Sequence, residues 1–134
     1  MLLCGEPTVA LPRWLASYNA TSVAGLPKDH LTWLRKLPTH FDDGLRFFVH
    51  AGIRPRTPLD RQTRSDLLWI REPFLSSTAD FGRLILHGHT TTEGSLPDVR
   101  PNRINIDTGA VYGGPLTAAV FIQSALKPVT FLQS

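Results

Sequence analysis

Phe47-Phe48-Val49-His50-Ala51-Gly52 and Leu84-Ile85-Leu86-His87-Gly88-His89-Thr90 are two apolar runs, each leading through histidine into glycine. A short continuous apolar run bounded by glycine reads as a buried strand, which predicts strands over residues 45–49 and 84–86. Ligands of open α/β sheets gather beyond the carboxyl ends of such strands, so His50 and the His87/His89 pair are expected to meet there. Neutral imidazole is the commonest protein ligand for divalent transition metals, and small Ala and Gly neighbours leave room for an ion and its substrate near the backbone. The alternative is a strand-end histidine with a satisfied hydrogen bond and no ligand.

Outward from these strands, Leu31, Leu34 and Leu37 stand at helical spacing. Pro27 lies near the first turn, Arg35 and Lys36 in the last, and Pro38 beyond, which predicts a helix over residues 26–37. Pro7, Pro12 and Pro27 keep any earlier helix brief. Asp42-Asp43-Gly44 is a turn. Residues 54–66 read as a loop carrying Arg54, Arg56, Arg61 and Arg64, either a solvated segment or an electropositive rim that concentrates an anionic substrate. Residues 65–72 form a short amphipathic piece ended by Pro73. Residues 102–107 alternate polar and apolar as a half-buried strand does, and residues 116–122 return as another strand. The expected sheet is mixed, with a terminal antiparallel pair. Trp33 and Trp69 are expected in the core, His30 and His40 at the surface in a helix and a turn.

At 134 residues the chain suits one domain, and 42% hydrophobic against 19% charged residues puts it on the globular side of the boundary with disorder. A net charge of +3 is too small to argue for a nucleic-acid partner. Cys4 is the only cysteine, so a disulfide framework and a cysteine-based zinc site are excluded and a reducing, cytoplasmic setting is expected. No basic n-region with a long apolar h-region opens the sequence, and no segment approaches the roughly 20 apolar residues of a membrane span, so no membrane partner is expected.

Four stretches then follow one another: Phe48-Val49-His50-Ala51-Gly52-Ile53-Arg54-Pro55, Asp66-Leu67-Leu68-Trp69-Ile70-Arg71-Glu72, His87-Gly88-His89-Thr90, and residues 106–118, Ile106-Asp107-Thr108-Gly109-Ala110-Val111-Tyr112-Gly113-Gly114-Pro115-Leu116-Thr117-Ala118. In order and approximate spacing they resemble the C-terminal half of calcineurin-like metallophosphoesterases, of the bacterial serine/threonine protein phosphatase type. Ser17-Tyr18 and the helix after it also resemble the segment before the first histidine motif. The resemblance implies an α/β chain forming part of a four-layer α-β-β-α sandwich with mixed sheets. It implies one partial domain over residues 1–134: a divergent N-terminal remnant at 1–25, a family-like region at 26–122 and a C-terminal tail at 123–134. It also implies a divalent metal pair (manganese, iron or zinc) and a phosphoprotein substrate carrying phosphoserine or phosphothreonine. Carried over residue by residue, His50 and His89 would be ligands of the second metal, Arg71 would grip the substrate phosphate, Tyr112 would line the substrate cleft, and His87 would hold the ligand loop in place.

The sequence departs from that family in three places. The Gly-Asp-x-His-Gly, Gly-Asp-x-x-Asp-Arg-Gly and Gly-Asn-His-Glu loops that supply the first metal's ligands, the bridging aspartate, an asparagine ligand and the leaving-group acid are absent; Leu2-Leu3-Cys4-Gly5-Glu6 matches only the edges of the third. A catalytic zinc site needs three protein ligands, so the chain is expected to hydrolyse phosphate esters poorly or not at all. Strands left without neighbours would favour self-association or marginal stability. Two other readings stand beside the phosphoesterase: a non-catalytic remnant or binding module, and a dinucleoside tetraphosphate hydrolase sharing the His-Ala-Gly and Asp-Thr-Gly patterns.

Overall fold

Pro27 and Pro38 bracket the first described helix. A computed structural model of the chain describes residues 25–122 and 124–134; the expectations placed on Cys4, on residues 2–6 and on Ser17-Tyr18 lie outside them. Helix α1 runs Lys28–Lys36 with Pro27 as its N-cap, and Leu37 N–H closes the last turn on Leu34 C=O. It lies in the unit Met1–Pro38, while all the strands below lie in the unit Thr39–Ser134. No residue of α1 is buried. Trp33, expected in the core, is exposed, because two residues beyond Leu31 is the opposite side of a helix from the Leu31/Leu34 stripe.

The turn before the first histidine run closes on carboxylates. Gly44 N–H donates to Asp42 Oδ1 at 2.8 Å, and Leu45 and Arg46 N–H donate to Asp43 Oδ1 at 3.0 and 2.7 Å. Strand β1 (His40–Asp42) thereby pairs antiparallel with β2 (Arg46–Val49), so His40 sits in a strand instead of a turn, its exposed ring stacked 4.7 Å from Phe47. Leu45 is left outside β2 and exposed, while Arg46 is buried. Its guanidinium pairs with Asp43, donates to Ala125 C=O at 3.0 Å and lies 4.5 Å from the centre of the Phe121 ring, so a buried charge has a partner on every side.

Strand β3 (Leu84–His87) lies parallel to β2, with Phe47 opposite Ile85 and Phe48 opposite Leu86. Strand β4 (Asp98–Val99) pairs antiparallel with β5 (Arg103–Asn105), which lies parallel to β3 and completes a mixed five-stranded sheet of order β1-β2-β3-β5-β4. Alternate residues of β2 and β3 face opposite sides of the sheet, and both sides are covered, which is why these runs are apolar throughout. On one side Phe47 and Ile85 join Ala51, Ile53, Leu67, Ile70 and Phe74. On the other, Leu84, Leu86 and Ile104 pack against Phe48, Ala119, Phe121 and Phe131.

Helix α2 (Arg64–Trp69) belongs to the first side and carries Leu67 into it. Its N-cap is Thr63, whose hydroxyl accepts from Asp66 N–H, satisfying a donor that a helix start leaves unpaired. The second side is covered by a two-stranded antiparallel ribbon, β6 (Thr117–Val120) with β7 (Thr130–Gln133). The architecture is mixed α/β around a mixed sheet with few helices.

Residues 102–107 differ from expectation. All three residues of β5 are buried, because the strand sits between β3 and β4 and its polar side chains have partners. Arg103 donates to Leu75 C=O and pairs with Asp98, and Asn105 donates to Thr90 C=O at 2.7 Å. No helix among the described residues is long and apolar enough to cross a membrane.

Candidate functional site

Parallel pairing of β2 and β3 puts their carboxyl ends side by side, and Gly88 N–H donates to His50 C=O at 2.9 Å just beyond them. His50 Nε2 then stands 3.2 Å from His89 Nδ1, with the two rings inclined at 61°. His89 reaches this position with φ at +68°, in the left-handed region where a β-carbon is disfavoured, so the neighbouring structure must hold it. Trp69, at the end of α2, meets the His89 ring edge-on at 5.7 Å. It is 41% exposed and stands against the site, which corrects its expected place in the core.

Ala51 and Gly52 serve packing. Ala51 is in the first core cluster and its N–H donates to Leu67 C=O, tying the end of β2 to α2. Gly52 lies against the Phe74 ring so closely that a β-carbon there would stand 2.3 Å from Phe74 Cδ1.

Burial pushes the His50 imidazole below its usual pKa, and the neighbouring His89 pushes it further; the Asp107 charge opposes both. Burial likewise lowers His89, followed by the Arg71 guanidinium, against the Trp69 main chain and Asp107. Both rings therefore favour the neutral form, which is the one that ligates metal. Two nitrogens bound to one tetrahedral ion at zinc–nitrogen distances stand about 3.3 Å apart, so the observed 3.2 Å suits two positions of a single ion.

His87 is buried behind the pair. Nδ1 donates to Gly88 C=O at 3.2 Å, Nε2 accepts from Arg103 Nη1 at 3.4 Å, and the ring meets Phe74 edge-on at 4.9 Å. Burial takes its pKa down to about 4. Arg71 is exposed and close enough for its charge to act on His89. Tyr112 ends a 3-10 turn, Ala110–Tyr112, and is 83% exposed; no contact joins it to the histidines.

Two residues gain weight beyond the expected set. Asp107 lies within electrostatic reach of His50, His87 and His89, and is held by Asn105 Oδ1 accepting from its N–H and by Gly109 N–H donating to its Oδ1. Arg54 closes a fork on Asp66, Nη2 to Oδ1 at 2.6 Å and Nε to Oδ2 at 3.1 Å, so this arginine of the expected rim braces the start of α2. A cleft of about 430 Å³ begins at Thr90, with Thr92, Glu93, Asp98 and Arg103 in its wall.

The donor set fits an ion only in part. Among the described residues no group of three or more His, Cys, Asp or Glu side chains is placed to hold a metal. His89 Nε2 is buried with no close hydrogen bond, only the longer pull of the Trp69 main chain acting on the ring, where a ligating histidine ordinarily donates its second N–H at full strength. No family model and no curated protein matches the chain.

Proposed function

We propose that the chain carries the second-metal half of a calcineurin-like metallophosphoesterase centre, of the bacterial serine/threonine protein phosphatase type, within part of a four-layer α-β-β-α sandwich. The observation that supports this reading best is the 3.2 Å approach of His50 Nε2 to His89 Nδ1 at the ends of adjacent parallel strands. In such a centre a manganese, iron or zinc pair, when bound, supplies a hydroxide at neutral pH and neutralises phosphoryl oxygens. His50 and His89 would hold one ion of that pair. Arg71, exposed beside His89, suits a two-pronged grip on the phosphate of a phosphoserine or phosphothreonine protein. His87 keeps Gly88, and so the approach to His89, in position through the hydrogen bond at its carbonyl. Tyr112 would border the approach of the substrate.

Among the described residues two imidazoles are short of the three protein ligands of a catalytic zinc site, and with the three N-terminal loops of the family absent from the sequence the chain is expected to turn over phosphate esters poorly or not at all. The same shortfall favours a second reading, a non-catalytic binding module. With p-nitrophenyl phosphate and manganese, the expected rate equals that of the His89→Ala variant. Metal-dependent turnover that disappears in His89→Ala would overturn the expected inactivity. Imidazole NMR separates the two readings: joint perturbation of His50 and His89 by a divalent ion supports the half-centre, and unperturbed rings leave the module.

A further inference from the structure

The loop that leaves the histidine pair is closed by one side chain. Gln62 Oε1 accepts from Arg54 N–H at 2.7 Å, and its Nε2 donates to the carbonyls of Arg54 and Thr57 at 3.0 and 2.8 Å. Residues 54–62 are thereby fixed between Gly52, just beyond β2, and α2, whose last residue Trp69 meets His89. Within the loop Thr57 N–H closes a turn on Arg54 C=O at 3.3 Å, with Pro55 and Arg56 in the two central places. Arg56 has φ at +64°, the conformation for which such a turn ordinarily takes glycine. An arginine held there against its backbone preference points to a task for its side chain.

The sign of the charge narrows the partner. From Arg54 to Arg71 stand five arginines and two aspartates, a surplus equal to the +3 of the whole chain. Asp66 is occupied by the Arg54 fork and the Thr63 hydroxyl. Arg56 and Arg61 are exposed and form no ion pair among the described residues. Two uncommitted guanidinium groups fall short of the roughly 6–10 phosphate contacts on which tight nucleic-acid binding is built, whereas each can fork onto one carboxylate. The path from His50 to Arg56 is six residues, at most about 20 Å, and an extended peptide covers that distance in about the same number of residues.

We infer that Arg56 and Arg61 grip carboxylates of an acidic protein segment, with aspartate or glutamate within about six residues of the phosphoserine or phosphothreonine at the histidine pair. The inference rests on the phosphoprotein reading for the position of the phosphate, while the grip on carboxylates is carried by the loop itself.

Fluorescence anisotropy of labelled peptides with the full 134-residue chain, at low and at physiological salt, tests this. The peptides are a phosphoserine flanked by glutamates, the same peptide with glutamines in their place, and the glutamate peptide with unphosphorylated serine. Glutamates are expected to strengthen binding about fivefold at low salt, and Arg56→Gly/Arg61→Gln should abolish that gain. Lys127→Gln should keep it, since Lys127 lies two residues from Ala125, whose carbonyl meets Arg46 at the start of β2 and not at the end that feeds the loop. Arg56→Gly alone should weaken binding of the glutamate peptide with Tm at or above wild type, because glycine accepts a φ of +64°, so the loss is not a folding defect. Equal affinity for the glutamate and glutamine peptides overturns the proposal, as does a gain that survives in the double variant. An oligothymidylate of equal charge that binds more tightly than the glutamate peptide, and is lost in the double variant, also overturns it and assigns the loop to nucleic acid. A glutamate gain that follows Arg56 and Arg61 while phosphate adds nothing supports the carboxylate grip and removes the phosphoprotein reading.

Discussion

His87 and His89 stand two residues apart and face opposite demands. His89 turns outward through a positive φ to meet His50, while His87 is enclosed between Phe74 and Arg103. With Nδ1 donating to Gly88 C=O and Nε2 accepting from Arg103, the His87 ring is neutral, and a second proton would sit on an atom facing a guanidinium. Burial first, and the Arg103 charge with it, hold its pKa near 4, below the 6.5 of an unfolded histidine. The unfolded chain therefore takes up the proton first as pH falls. Stability from this group is present in full above pH 6.5 and is lost as pH falls toward 4, by at most about 3 kcal/mol. Urea melts at pH 7 and pH 4.5 should show this fall, and His87→Gln, which cannot take the proton, should show a shallower one. His50 and His89 are shifted the same way and contribute to the slope that remains. An identical pH slope in His87→Gln would show that His87 is not held neutral by the fold.

At the scale of elements, β2, its glycine and α2 act as one piece. Ala51 N–H bonds Leu67 C=O, and Gly52, at φ +153°, admits the Phe74 ring where a β-carbon would sit 2.3 Å from Cδ1. Phe74 is fully buried and cannot swing into solvent, so Gly52→Ala forces a shift in the first core cluster. The expected cost is about 2 kcal/mol or more, read as a lower urea midpoint at unchanged slope, and pairing the change with Phe74→Leu should recover part of it. A Gly52→Ala midpoint equal to wild type would contradict the close approach. Strands β2 and β3 were legible in the sequence because burial on both faces leaves unbroken apolar runs, Phe47-Phe48-Val49 and Leu84-Ile85-Leu86, and the meeting of His50 with His89 followed from the strand ends. β5 was misread, since Arg103 and Asn105 look solvent-facing until Asp98, Leu75 and Thr90 are seen to satisfy them. β1, β4 and β7 are short and partly or wholly exposed, so no hydrophobic period marks them. Trp69 read as core because its type is apolar, whereas α2 ends at it and turns it toward His89. The influence of Asp107 was equally illegible, since it depends on which strand ends lie beside β5.

At the scale of the whole molecule, the histidine pair joins the ends of the two strands that separate the core clusters, so an ion held there couples to folding of the unit Thr39–Ser134. Binding to the folded form alone stabilises it by mass action, about 1.4 kcal/mol at a free ion concentration tenfold above the dissociation constant. For a chain of 134 residues that corresponds to a rise in Tm of about 3–6 °C. The donors are imidazole nitrogens without an assembled carboxylate group, so nickel and zinc should raise Tm more than manganese, and magnesium least. His50→Ala and His89→Ala should each abolish most of the rise, whereas His30→Ala, an exposed position on α1, should leave it intact. Differential scanning calorimetry with each ion in turn measures this directly. A zinc response that survives in both site variants would place binding elsewhere, and a manganese response larger than zinc would require oxygen ligands that the pair does not supply.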